Sequence, residues 1–491
     1  MSQRLEMDLS KPEIFSETSP RPEDFSRGFT VIRKEPPIGF VPTSYPPSEF
    51  GRNLQTWAND MQEENDAIEA GTVNDSNGAL RPIYHSNGSS EMNPVLKAID
   101  RTGVYNSIET QDEGQKNVNI LDPENDHILE RARVFLRSGR VTVLLPFASE
   151  AGTIGRDIHY AENVVGSQNV LAIDAGTQME ASVEARATGV PVVNQRDILQ
   201  HVNWDYLKEE GILPPNFKLK GAKGLTLAAG NLALESIGQL NKTLVVQHDT
   251  DIVNPGPGRQ EEAVPGDYCA LDHLAIPYAC PLQDATVKAV YSLRTGEGRN
   301  NEPWHMMTNN IAGLSEDEKM KILGKALGTI AWPLAGERLV RGDLLRTFPR
   351  ATGMETETQD NFCLTGIDVR DGKRGLMQVA NPNPKTENRP SPRTREFAIV
   401  DQCCLWGQRL TQHIERTGRY PDQWNLEDIA TFNRRFGGRL YTISVPSASD
   451  HHPNQSVEVR FGYLLPSIDQ LRQLPNAVDW ESIKQVVSRN V

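Results

Sequence analysis

Between residues 141 and 247 short apolar runs alternate with longer stretches of helical period. Val141–Pro146, Asn169–Asp174, Val190–Asn194 and Thr243–Gln247 are brief and rich in Val, Ile and Leu, and read as buried strands. Thr153–Asn163, Gln178–Thr188 (stopped by Gly189) and Lys223–Gln239 read as helices, and a capped helix over Asp126–Ser138 precedes the first strand. Residues Gln195–Lys220, with a Pro-Pro pair, read as a polar excursion. Strands alternating with helices of this length predict an α/β fold with a largely parallel, helix-flanked, Rossmann-like sheet. Beyond Pro255 the clearest elements are a strand over Ala285–Leu293, a helix over Ser315–Ile330 and a strand over Leu440–Val445. The tail Pro466–Asn490 reads as two short helices, and Lys373–Arg395, rich in Pro, Asn and Arg, as an inserted loop.

Upstream, residues 1–52 carry Pro, Ser and Glu without helical or strand period and are expected to form an extended arm. Residues 53–122 form an N-terminal extension with a helical piece at Asn53–Ala70 and no catalytic motif. At 491 residues the chain is too long for one ordinary core. It has no apolar run of membrane-spanning length, and its first residues lack the apolar core of a secretory signal. Five cysteines without a Cys-x-x-Cys pair suit a reducing cytoplasm and argue against a zinc site. A net charge of −14 argues against nucleic acid or an anionic membrane as partner. A polyanionic substrate would therefore need a local cluster of cations.

Such chemistry is expected at the strand ends. Thr243–Gln247 is followed at once by Asp249 and Asp251. Strand alternation points both acids to one side, where they suit a hard divalent cation of the Mg²⁺ or Mn²⁺ type. An Asp-x-Asp at the C-terminal edge of such a sheet is what a nucleotide-sugar transferase uses to hold a diphosphate; a solvated turn with two acids is the alternative. Val141–Pro146 leads into a small-residue loop, Pro146–Gly155, that makes a backbone-lined pocket mouth. Asp174 ends the second strand, where it would serve a ribose or base edge, or equally a helix N-cap. Lys220-Gly221-Ala222-Lys223-Gly224 opens a helix with two cations and two glycines, which suits a phosphate, although no Walker motif is present.

Taken in order, these motifs resemble the glucosyl-3-phosphoglycerate synthases, retaining sugar transferases of the GT-A type. The residues that carry the resemblance are Pro146, Glu150, Thr153, Ile154 and Gly155; Asp174-Ala175-Gly176; Ala222-Lys223-Gly224; His248–Pro255; Pro333–Arg338; and Leu344–Pro349. It covers roughly Val141–Arg350 and resumes near the C-terminus. It implies that Pro146, Ala148, Glu150 and Asp174 line the donor nucleotide pocket and that Lys223 faces the diphosphate. It implies that Asp251 holds the cation with Asp249, which also lies near the donor ribose, and with a histidine from Asp450–Asn454 as further ligand, either His451 or His452, the former favoured. Glu357 corresponds to a family glutamate, so Lys223, Asp251 and Glu357 are the expected catalytic residues. Arg294, with Gly336 and Glu337, is expected at the acceptor.

The expectation is transfer of a hexose, glucose or mannose, from a nucleoside diphosphate sugar to a small phosphorylated or carboxylate acceptor such as 3-phosphoglycerate. Retention of configuration and a homo-oligomeric state follow from the resemblance alone. The donor half would span 123–260, and the acceptor half 261–465 with an insertion over about 358–431 that has no family counterpart. A C-terminal helical tail would span 466–491. Two rivals stand beside this reading. A sugar-nucleotide pyrophosphorylase would need a Gly-x-Gly-Thr-Arg loop that is absent here, and a non-catalytic assembly protein would not need its Asp-x-Asp.

Overall fold

The computed structural model describes residues 31–32, 104–105, 126–219, 223–252, 270–279, 287–295, 302–315, 317–330, 333–334, 336–372, 375–382, 393–445 and 455–490. Of the expected N-terminal arm and extension only Val31–Ile32 and Val104–Tyr105 are described. Both are short strands where no strand period was expected, held by pairing with each other and with a strand at 376–382. Lys220–Ala222, Ala335, and both His451 and His452 lie outside the described residues.

Nine strands form one mixed sheet in the order β1-β2-β10-β7-β8-β6-β3-β4-β5. Their spans are β1 Val31–Ile32, β2 Val104–Tyr105, β3 Val141–Phe147, β4 Val170–Asp174, β5 Val192–Asn194, β6 Leu244–Gln247, β7 Ala289–Thr295, β8 Arg338–Arg341 and β10 Leu376–Pro382. Two small antiparallel pairs are also present among the described residues: β9 (Arg350–Ala351) with β13 (Leu464–Leu465), and β11 (Leu440–Val445) with β12 (Gln455–Arg460). β3, β4, β5 and β6 run parallel, as do β7 and β10, while β8 lies antiparallel between β6 and β7. This is the expected α/β arrangement of GT-A type: Rossmann-like, mostly parallel, helix-flanked and carrying extra elements.

The main helices are α1 Asp126–Phe135, α2 Ile154–Val165, α3 Met179–Ala187, α4 Lys223–Ser236, α5 Ala270–Ala279, α6 Glu302–Leu314, α7 Glu318–Gly328, α8 Thr356–Asp371, α9 Arg393–Thr417, α10 Leu426–Phe436 and α11 Trp480–Asn490. Strand alternation sorts the core into two layers. On β3, Val141, Val143, Leu145 and Phe147 pack with α1, α2, α3 and α5, while Leu144 faces α4 and the remaining helices. β6 does the same, with Leu244 and Val246 on one face and Val245 on the other. The central strands are buried on both faces, which is why they read as continuous apolar runs.

The structure departs from the sequence reading at several points, among them the inserted loop expected over Lys373–Arg395, which contains β10, made a strand by its pairing with β7, and the start of α9. The excursion Gln195–Lys220 contains two short helices, Gln195–Leu199 and Trp204–Glu209, each started by an asparagine side chain (Asn194, Asn203) that accepts a backbone N–H. The sheet gains an antiparallel member because β8 returns along β6. The strand expected over Ala285–Leu293 begins at Ala289 and runs to Thr295.

Candidate functional site

Parallel strands put the chain exits of β3, β4, β6 and β7 along one edge of the sheet, and antiparallel β8 brings its entry to the same edge. Gln247 pairs with Arg338, so Gly336 and Glu337 sit beside the residues that follow β6. Arg294, near the end of β7 in register with Asn381, is at this edge as well.

The acids of the Asp-x-Asp lie just beyond the strand, which ends at Gln247, so strand alternation does not orient them. Tertiary bonds hold their turn instead. Thr250 donates its hydroxyl to the Pro146 carbonyl at 3.0 Å, and Thr153 donates to the Thr250 carbonyl at 2.7 Å. The loop after β3 is thereby clamped to the turn after β6. It is also tied to the loop after β4, through Ala175 N–H to the Phe147 carbonyl (2.8 Å) and the Thr177 hydroxyl to the Ala148 carbonyl.

At the centre is Lys223, the first residue of α4. Its Nζ lies 2.6 Å from Asp249 Oδ1 and 2.7 Å from Glu357 Oε1. The three side chains are 19, 20 and 10% exposed, so the cluster is partly shielded yet open at its mouth. Burial alone would pull the ammonium down, but the two carboxylates outweigh it and hold Lys223 above the usual lysine range. It therefore stays charged throughout the neutral range. Backbone contacts fix its place: a side chain at Gly224 would strike the Ala351 carbonyl at 2.0 Å, and Gly224 N–H donates to the Gly353 carbonyl at 3.2 Å. Glu357 sits in the first turn of α8. Arg338, almost fully buried, donates to its carbonyl at 3.1 Å and to the Pro333 carbonyl at 2.8 Å.

Gly336 packs directly on Asp249; an added Cβ would stand 1.7 Å from Oδ2. Glu337 follows it, buried. Lys223, Asp249, Gly336 and Glu357 are thus brought together from four separate segments, with Asp251 two residues beyond Asp249. The donor set is hard oxygen, and the ammonium bound within it shows that it stabilises positive charge. Asp249 and Asp251 fit a divalent cation of the kind that takes one or two carboxylates and completes its shell with phosphate oxygens. Among the described residues no group of three His, Cys, Asp or Glu side chains is placed to hold a metal.

The outer donor residues are occupied locally. Glu150 folds back so that its carboxylate accepts from the N–H groups of Ala148 and Ser149. Asp174 accepts from Gly176 N–H at 2.6 Å and from Ser182 and Asn194, bonds that organise the turn after β4; it is not the N-cap of α3, a position held by Gln178. The N-terminus of α2 is capped by Glu184 of α3, which accepts from Gly152 N–H at 2.6 Å and Gly155 N–H at 2.8 Å. Glu184 was not legible as a site-organising residue, since it stands in no local motif, and Arg338 closes the Pro333–Arg338 segment at a position where no role was expected of it. Asp157 stands in no motif either, and His248 opens the His248–Pro255 segment without a role assigned to it. Asp157 is signalled only as an acid on the apolar stripe of α2, between Ile154, Ile158 and Ala161.

A separate cavity of about 1010 Å³ is lined by Trp204, Phe217, Pro475 and Trp480 among others and shares no lining residue with this site. His201, Asp205, Lys208, Asp479 and Glu481 also line it, but it lies away from the strand exits, and the carboxylate–lysine cluster at those exits is the better candidate. No described helix is long and apolar enough to cross a membrane.

No family model matches the chain, and neither does any curated protein. Solved structures do resemble it. Glucosyl-3-phosphoglycerate synthase from Mycobacterium tuberculosis, in complex with Mg²⁺ and uridine diphosphate, is 19% identical over 69% of this chain and 96% of that one, with a TM-score of 0.44. The same enzyme with Mn²⁺, uridine diphosphate and phosphoglyceric acid gives 19%, 69%, 95% and 0.43. A further mycobacterial protein is 21% identical over 70% of this chain and 92% of that one, at 0.43. Likeness at this level assigns neither a family nor an activity to the chain.

Proposed function

We propose that this protein is a metal-dependent glycosyltransferase that moves a hexosyl group from a nucleoside diphosphate sugar to a small anionic hydroxy acceptor. The observation that carries the reading is the Lys223 ammonium held between Asp249 and Glu357 at the mouth of the sheet, beside Asp251. In the reaction the bond from the anomeric carbon to the diphosphate breaks, the acceptor oxygen forms the new bond, and the acceptor proton is released. Negative charge grows on the departing diphosphate. A permanently charged, partly desolvated lysine at a fixed position stabilises that charge without reorganising. Glu357 restrains the ammonium, and Gly336 leaves room for Asp249. Asp249 and Asp251 would hold a Mg²⁺ or Mn²⁺ ion, which supplies further neutralisation of the leaving group.

The motif resemblance supports Pro146, Ala148, Glu150 and Asp174 as the nucleotide side of the pocket. It supports Arg294 and Glu337 on the acceptor side, His451 as a further cation ligand, and retention of configuration. No carboxylate is assigned as nucleophile. Asp251→Ala tests the reading: metal-dependent release of nucleoside diphosphate should fall to background while the thermal midpoint stays near that of the parent. A variant that keeps its metal-dependent turnover would refute the site.

A further inference from the structure

Beneath the Asp249–Asp251 turn lies a pair that the proposed reaction does not use. Asp157, in the first turn of α2, and His248, the residue before Asp249, are both 0% exposed, with Asp157 Oδ1 3.5 Å from His248 Nε2. Neither carboxylate oxygen and neither ring nitrogen makes a hydrogen bond in the structure. The two groups face each other across the joint between α2 and the β6 exit, with the Tyr160 ring 6.4 Å from the imidazole. One turn earlier, at the N-cap position of the same helix, Thr153 donates to the Thr250 carbonyl. Two positions four apart at the start of α2 therefore meet the segment that carries both acids, Thr153 through a hydrogen bond and Asp157 through its 3.5 Å approach to His248. Asp251 and Glu337 bear electrostatically on Asp157, as Glu337 and Asp249 do on His248, so the imidazole stands at the base of a group of acids.

From this geometry we infer that Asp157 and His248 are positioning residues that set the direction in which Asp249 and Asp251 present their carboxylates to a divalent cation. The inference rests on the donor-site reading above. Burying an acid and an imidazole costs desolvation that a hydrophobic pair of the same volume avoids, so stability alone gives no reason for this choice. Groups that orient ligating carboxylates without touching the metal change metal affinity by about 10- to 100-fold when removed.

The test is Mn²⁺ binding to the full chain, followed by the paramagnetic resonance of the free ion, for the parent, Asp157→Asn, His248→Gln and the double variant. Thermal midpoints without metal are recorded alongside. Each single variant is expected to weaken Mn²⁺ binding about tenfold or more, with a folded transition retained. The double variant should be no weaker than the worse single one. Mn²⁺ affinity within about twofold of the parent, or additive losses in the double variant, would overturn the pairing. So would loss of the folded state in both single variants, which would assign the pair to stability. A parent chain that binds no Mn²⁺ would instead defeat the donor-site reading itself, and the inference with it.

Discussion

At the residue scale the site depends on contacts that leave no slack. Asp249 is gripped on one side by Lys223 and abutted on the other by Gly336. A methyl group at position 336 cannot fit without displacing the carboxylate, because the nearest atom is 1.7 Å away. Gly336→Ala is therefore expected to lower turnover by about 10²-fold, the scale of losing one preorganised electrostatic contact. Its thermal midpoint should change little. Measured kcat and KM for the donor check this, and a fully active variant would show that Asp249 is free to move. The sequence exposed Asp249 and Asp251 because a β-branched run delivers them to a strand end. It could not expose their contacts: Glu357 lies 134 positions from Lys223, and only the motif resemblance nominated both.

Elements position these residues through their ends. α2 begins in a loop whose amides are taken by Glu184, a residue on the next helix. Glu184→Ala strips two charge-assisted bonds from that start and is expected to cost about 1–2 kcal/mol, the range of a strong N-cap. Denaturant unfolding should show it as a lower midpoint with an unchanged slope. An unaltered midpoint would mean that solvent replaces the cap. Helices and strands with strong period were legible: β11 is found at the expected residues, and α4 begins at Lys223 as expected. Short helices such as Trp204–Glu209 were not, because a single turn carries too little period and its asparagine cap resembles loop composition. β10 also escaped. Its residues lie within the Lys373–Arg395 stretch read as a loop, and only tertiary pairing with β7 makes them a strand of the main sheet.

Across the whole molecule the sheet separates two cores, and the larger one runs on into α8, α9 and α10. There His413 is buried, edge-on to Trp424 (4.6 Å) and Phe432 (5.7 Å). Burial, reinforced by Arg435 and Arg416, pushes its imidazole down to about 3 from the usual 6.5. A histidine depressed in the folded state contributes stability that is fully present above the unfolded value and lost as pH falls through the folded one. Unfolding free energy is thus expected to decline as pH drops from about 6.5 towards about 3, and His413→Phe should flatten that decline. An identical pH profile for the two proteins would place the acid sensitivity elsewhere. The parallel half of the sheet was legible from alternating runs and helices. The antiparallel β8 was not, because its direction is set by a long connection and by pairing with β6 and β7. Direction matters here, since only an antiparallel β8 brings Gly336 and Glu337 to the edge that holds Asp249.

The central claim is tested most directly by nucleoside diphosphate release with Mg²⁺ or Mn²⁺. UDP-glucose, GDP-mannose, GDP-glucose and ADP-glucose would be crossed with 3-phosphoglycerate, glycerate and no acceptor. The account predicts release that requires both the metal and one acceptor, with transfer of the sugar to that acceptor. Silence across the grid, together with no metal-dependent nucleotide binding, would contradict it and leave the fold as a scaffold without transferase chemistry.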